Sequence, residues 1–201
     1  MKDFGISPLD DLIDQFARLP GIGKKTAQRL ALFILKSDAE YANDLARAIV
    51  RLKEETTLCK RCFNIAEGEL CDICSDPSRD AHKICVVEDI VDVLAIEETN
   101  SYHGLYHVLG GVISPLAGIS EEQLHIKELV RRVQEENIEE VIIALNPSTE
   151  GEATIIHITR LLKDFNVRIT RLASGVPMGS HLEYLDMATI GRAIQSRQEI
   201  K

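Results

Sequence analysis

Four cysteines carry the clearest chemistry in this chain of 201 residues. Cys59 and Cys62 form one CxxC pair, Cys71 and Cys74 a second, and eight residues separate the two pairs. That spacing lets four thiolates converge tetrahedrally on one zinc ion. Four sulfur ligands leave no coordination position open for water or substrate, so such a metal is structural. The stretch from Cys59 to Cys74 has almost no hydrophobic periodicity and needs something other than an apolar core to order it. Zinc is sufficient, since it contributes roughly 10–16 kcal/mol in small metal-dependent peptides. The competing reading, two disulfides or redox CxxC sites, fits poorly with two pairs so close together in a reducing compartment. Cys85, inside the apolar run Ile84-Cys85-Val86-Val87, reads as an ordinary buried thiol.

The second chemical signal is basic. Between Arg18 and Lys36 the chain carries Arg18, Lys24, Lys25, Arg29 and Lys36 and no acid, although its net charge is −9. Leu19-Pro20-Gly21-Ile22-Gly23-Lys24 lies in this run between two helical patterns and resembles a helix-hairpin-helix motif. Gly21 and Gly23 let the backbone turn tightly and approach a phosphate, and the N–H groups opening the second helix favour an anion. Lys24, Lys25 and Arg29 add charge at the same turn. Contacts of this kind read phosphates rather than base edges, so binding is expected to be largely independent of sequence. The same residues also describe an ordinary helix-helix connection with a solvated basic face; the acid-free run centred on the hairpin favours the DNA reading.

The third signal is a set of carboxylates. Glu88-Asp89 follows one apolar strand pattern, and Asn146-Pro147-Ser148-Thr149-Glu150-Gly151-Glu152 follows another at Val141–Leu145. Open α/β sheets place their sites at the carboxyl ends of parallel strands, so these acids are expected in one crevice. The arrangement resembles the Toprim domain, where a glutamate and a DxD motif hold magnesium for phosphoryl transfer. Here Glu88 matches the glutamate, but the DxD aspartate positions fall on Asn146 and Ser148. The loss of two anionic ligands argues against catalytic magnesium. Asp89 also reads as a helix N-cap, and Glu150 and Glu152 as first-turn acids favoured by the helix dipole. His103 and His107 lack a serine or cysteine nucleophile in a recognisable motif and read as structural. Tyr102, Tyr106 and Tyr184 read as packing residues. No GxxxxGK[ST] loop is present, so independent ATP hydrolysis is not expected.

The elements that must position these groups follow from periodicity. Leu9, Leu12, Ile13 and Phe16 predict a helix ended by the Pro-Gly hairpin, and Ala27, Leu30, Ala31 and Ile34 a second. Ser37 with Glu40 reads as a capping box opening a third, along Ala42, Leu45, Ala46 and Ile49. After Asp76-Pro77-Ser78 the pattern turns to β/α: strand Ile84–Val87, helix Asp89 to about Glu98, a short strand with a long loop in Tyr102–Gly118, and a helix over Leu124–Val133. Strand Val141–Leu145, helix Thr154–Phe165 and strand Val167–Leu172 complete it. A loop from Ser174 to Gly179 leads to a helical segment from His181 to Gln198. The fold class is α/β, with a helical helix-hairpin-helix module (1–57), a four-cysteine zinc finger (58–76), a Toprim-like parallel β/α domain (80–173) and a C-terminal loop and helix (174–201).

Composition is that of a globular protein, 45% hydrophobic and 27% charged, with no apolar run of the roughly 20 residues that a membrane helix requires. Acids stand where a signal peptide would be apolar, so a cytoplasmic location is expected.

The order of hairpin, four cysteines, Glu88-Asp89, Tyr106–Ser114 (YHVLGGVIS), Asn146–Glu152, Gly175–Gly179 (GVPMG) and Leu182–Asp186 (LEYLD) resembles the RecR family of bacterial recombination mediators across essentially the whole chain. The resemblance implies a non-enzymatic DNA-binding protein that works with RecO, and in many bacteria RecF, to load RecA on single-stranded or gapped DNA. It implies a ring-like homotetramer built by exchange of N-terminal helices and contacts of C-terminal segments. It places Arg18, Gly21, Gly23, Lys24, Lys25 and Arg29 against DNA, and Glu88, Asp89, Glu150 and Glu152 near the RecO interface. The competing class is a magnesium-dependent Toprim nuclease or topoisomerase-like enzyme.

Overall fold

The hairpin glycines divide two helices whose apolar stripes face each other. In a computed structural model that describes residues 4–173, 175–197 and 199, α1 spans Ser7–Ala17 and α2 Lys24–Lys36. Leu9, Ile13, Ala27 and Ala31 are buried between them, with Leu12, Phe16 and Ile22 packed alongside. The small alanines let the two helices approach closely. α3, Ala39–Glu55, fully buries no residue: of its expected stripe, Ala42 and Leu45 are half-buried and Ala46 and Ile49 exposed. Its cap also differs from expectation. Asp38 is the N-cap, accepting from the Tyr41 N–H at 2.7 Å, while Ser37 ends α2 and bonds the Phe33 carbonyl at 2.9 Å. A carboxylate one residue later outcompetes the hydroxyl as acceptor.

The chain forms two compact units, Met1–Thr56 and Thr57–Lys201. The second begins with a two-stranded antiparallel hairpin, β1 (Thr57–Leu58) with β2 (Ile65–Ala66), and a single helical turn α4 (Asp72–Ser75). A parallel sheet of β3 (Asp80–Val87), β4 (Gly104–Val108), β5 (Glu140–Ala144) and β6 (Arg168–Arg171) follows, in the order β4-β3-β5-β6. The register places Val87 beside Val108 and Ala144, so three strands end level.

The connections are α5 (Ile90–Glu97), α6 (Ile126–Glu135) and α7 (Thr149–Leu162). Ile84, Val86, Leu129, Val141, Ile143, Ile158 and Leu162 fill one face of the sheet, and Cys85, Val87, Val93 and Tyr106 the other. This two-sided burial explains why the strands read as continuous apolar runs rather than alternating ones. α7 starts five residues before the expected Thr154. Ser148 caps it by accepting from the Gly151 N–H at 3.0 Å, so the polar Thr-Glu-Gly-Glu stretch is its first turn.

The C-terminal helical segment is shorter than expected: α8 spans Met187–Gln195, capped by Asp186, after a short 3-10 turn at Leu182–Tyr184. Ser174 and Gln198, the outer ends of the expected loop and helix, lie outside the described residues.

Three polar side chains tie the sheet to its surroundings. His107 is fully buried, accepts from Arg132 at Nδ1 (3.2 Å) and donates from Nε2 to the His125 carbonyl (2.7 Å). This network assigns the neutral Nε2–H tautomer. Burial, then the neighbouring Arg132 charge, pushes its pKa down to about 3. Tyr106 donates to Glu97, which also receives both guanidinium nitrogens of Arg79. Tyr102 donates to the Leu105 carbonyl at 2.9 Å. These contacts give His107, Tyr102 and Tyr106 structural roles.

Candidate zinc centre, basic hairpin and acidic crevice

The sulfur atoms of Cys59, Cys62, Cys71 and Cys74 lie within 4.8 Å of one another, and all four residues are buried. A tetrahedron of sulfurs about 2.3 Å from a zinc ion has this size. Two turns bring them together. The Phe63 N–H bonds the Cys59 carbonyl at 2.9 Å and the Cys59 N–H bonds the Asn64 carbonyl at 2.7 Å, a tight loop that places Phe63 at φ +64°. The second pair flanks α4, whose N-cap is Cys71. The five cysteines carry free thiols, and Cys62 and Cys71 sulfurs approach to 3.5 Å. Thiol hydrogen bonds from Cys62 and Cys74 lower the Cys71 pKa, which favours a thiolate there. The set fits structural zinc, with the four cysteines as its ligands. Cys85 stands apart, its thiol pushed up to about 12 by burial.

The hairpin turns at Pro20-Gly21. The Ile22 N–H bonds the Leu19 carbonyl at 3.1 Å and Gly21 adopts φ +78°, the turn geometry that requires glycine at its third position. Gly23 then caps α2 without a side chain, and its carbonyl accepts from Thr26 and Ala27 at 3.0 Å. The first-turn N–H groups of Lys24 and Lys25 have no helical acceptor. Arg18, Gly21, Gly23, Lys24, Lys25 and Arg29 are all exposed. A Cβ on Gly21 or Gly23 would meet nothing within 4 Å, so open space faces both glycines.

The strand ends bring part of the acidic set together. Glu88 follows β3, Asn146 follows β5, and the Asn146 amide donates to the Glu88 carboxylate at 2.8 Å. Asp89 caps α5, accepting from the Ile90 N–H at 2.6 Å while Asp92 reaches back to its own N–H. Glu150 and Glu152 occupy the first turn of α7. Glu152 is engaged by both terminal nitrogens of Arg171 (2.9 and 3.1 Å) and by Arg192 (3.0 Å), and the Arg171 hydrogen bonds hold its carboxyl below the ordinary range.

Of the four acids expected to form one patch, Glu88, Asp89 and Glu152 thus have separate partners. Among the described residues the four cysteines are the only cluster of three or more metal-ligating side chains. The crevice does not fit the magnesium that its fold implies: an amide donor faces Glu88, Ser148 is committed as a cap, and two guanidiniums hold Glu152. Sequence reading missed Arg171 and Arg192 because no local spacing connects them to Glu152.

Family models match along the chain in the order the structure shows: a RecR helix-hairpin-helix at residues 9–53, a RecR four-cysteine zinc finger domain at 56–76, a Toprim domain at 82–173 and a RecR C-terminal segment at 175–198. Proteins named Recombination protein RecR from Myxococcus xanthus and Chloroflexus aurantiacus are 49% and 54% identical to it, each match covering 96% of this chain and 98% and 95% of the relative. The chain belongs to the RecR family. A RecR from Gloeothece citriformis is 53% identical over 193 residues. Membership agrees with the mixed α/β fold and the structural zinc site. Among the described residues no helix is long and apolar enough to cross a membrane.

Proposed function

We propose that this chain is a recombination mediator that grips DNA phosphates through its hairpin and turns over no substrate. The observation that carries the reading is the hairpin itself. Unpaired N–H groups at the start of α2 and the exposed side chains of Arg18, Lys24, Lys25 and Arg29 stand beside two glycines that face open space. A phosphate backbone matches such a surface, and the acids elsewhere keep DNA to it.

In this reading the hairpin module (1–57) binds DNA, the zinc finger (58–76) is structural, the Toprim-like domain (80–173) serves partners, and the C-terminal segment (174–201) assembles subunits. The protein works in the cytoplasm, at the nucleoid, with RecO and RecF to help load RecA on single-stranded or gapped DNA. Glu88, Asp89 and Glu150, half-buried or exposed, offer a basic partner such as RecO the negative charge that Glu152 has spent on arginines. A ring-like homotetramer gives the apolar side chains of α3, among them the exposed Ile49, Val50 and Leu52, a partner helix to cover them.

The test is DNA binding by the wild type and a Lys24→Ala, Arg29→Ala variant across a salt series, with magnesium present and the DNA inspected for cleavage. Salt-sensitive binding lost in the variant, with DNA intact, is the expected result. Unchanged affinity in the variant would move the DNA surface elsewhere. Magnesium-dependent cleavage that requires Glu88 would make the protein a Toprim nuclease or topoisomerase-like enzyme.

A further inference from the structure

β4 is one of the two outer strands of the parallel sheet, yet every one of its residues is buried. An open edge presents unpaired N–H and C=O groups, and something must satisfy them. The zinc segment does so at the strand's end. The Val108 N–H donates to the carbonyl of Cys62 at 2.8 Å, so a zinc ligand is one hydrogen bond from the sheet.

The next two residues connect that bond to the acidic crevice. The Leu109 N–H donates to the Val87 carbonyl at 3.0 Å, and the Gly110 N–H to the Glu88 carbonyl at 3.1 Å. The Leu109 carbonyl accepts from the His125 N–H at 3.0 Å. Phe63, the residue after Cys62, lies flat on the His125 ring, with centroids 3.6 Å apart and planes 5° from parallel. It also meets His107 edge to face at 5.5 Å. Arg61, on the other side of Cys62, pairs with Glu136 at 2.9 Å, and Glu136 pairs with Arg132, whose guanidinium donates to the Tyr106 carbonyl of β4 at 2.8 Å.

We infer that the zinc segment is the edge cover of the Toprim-like sheet, and that its metal occupancy is transmitted to the Glu88 crevice through Val108–Gly110, with Phe63 and Arg61 as positioning residues. The segment has little apolar core of its own: its buried cluster is the four cysteines with Ala66, against which Ile73 packs. Without a metal the sulfurs lose their common partner, and the loop that aims the Cys62 carbonyl and holds Phe63 at positive φ loosens. The buried Val108 N–H then loses its acceptor, at a cost comparable to a lost hydrogen bond. The strand end that holds the Glu88 backbone is the first part of the sheet to open. This holds whether or not the crevice takes a partner, because it concerns backbone groups.

Residue-resolved hydrogen exchange on the full-length protein tests it, before and after zinc removal by a chelator, and in a Phe63→Leu variant whose zinc content is measured. Chelation is expected to speed exchange at Val108, Leu109 and Gly110 by about tenfold or more, while Ile142 and Ile143 of β5 stay within about twofold. The zinc-loaded Phe63→Leu variant should show a smaller rise at the same three amides. Unchanged exchange at those amides after chelation, or an equal rise throughout the sheet, would overturn the inference. A zinc-loaded variant identical to wild type would remove Phe63 from the path.

Discussion

Asn146 and Glu88 meet across the carboxyl ends of β5 and β3, the asparagine amide donating to the glutamate carboxylate at 2.8 Å. A neutral donor stands where the Toprim pattern has an aspartate, so one negative charge is stabilised without a cation. Asn146→Asp replaces that bond with two adjacent carboxylates, which cannot both ionise at low cost. The variant is expected to lose about 1 kcal/mol of stability at pH 8 and to recover most of it only toward about pH 4, as the pair takes up a proton. Urea unfolding at the two pH values, with the wild type alongside, checks this. Recovery on adding magnesium to the variant would show that one substitution is enough to recreate a cation site.

Zinc should be inseparable from the stability of the second unit. Cys62→Ser removes one of four sulfurs, and also perturbs the residue whose carbonyl caps β4. Zinc stoichiometry is expected to fall well below one per chain, and stability by about 3 kcal/mol or more, given the size of structural zinc contributions. Cys85→Ser should leave the zinc content unchanged, since that thiol lies in the sheet away from the four.

Gly151 carries a steric requirement. A Cβ there would lie 2.1 Å from the Asn146 carbonyl oxygen, a backbone atom with little room to move. Gly151→Ala is expected to destabilise the fold by about 1–3 kcal/mol, despite the better helix propensity of alanine, because overpacking against backbone dominates. Chemical denaturation measures it directly.

The pH dependence of His107 follows from its burial. Its pKa in the folded protein is about 3, below the ordinary imidazole value, so the unfolded chain takes up a proton first as pH falls. The stability linked to this group is therefore complete above about pH 6.5 and declines below it, by about 1.4 kcal/mol per pH unit, until the folded-state pKa is reached. The His107 ring resonances should not titrate between about pH 7.5 and 5. A His107→Gln variant, which keeps a donor for the His125 carbonyl, should show a shallower acid decline in unfolding free energy.

At the hairpin, each phosphate released from Lys24 or Arg29 should reduce the slope of log affinity against log salt by about 0.9 on duplex DNA. The double variant is thus expected to have a slope shallower by nearly two, as measured by fluorescence anisotropy of labelled DNA.

Much of this protein was determined by the sequence alone, because the signals are local. Two CxxC pairs specify a zinc site through spacing, Pro20-Gly21 and Gly23 specify a turn through backbone freedom, and the apolar runs at Ile84 and Val141 specify buried parallel strands through their lack of alternation. Capping was misread: Ser37 was expected to open the third helix, but Asp38 accepts from the Tyr41 N–H while the Ser37 hydroxyl is spent on the Phe33 carbonyl. Tertiary structure alone decided the state of the carboxylates. Glu88 and Glu152 look alike in sequence, but one accepts from Asn146, 58 residues on, and the other from Arg171 and Arg192. The same holds for the stack of Phe63 on His125 and the bond from Val108 to Cys62. Such pairings depend on which strand ends and loops the topology brings together, and no periodicity along the chain encodes a distance between residues so far apart in it.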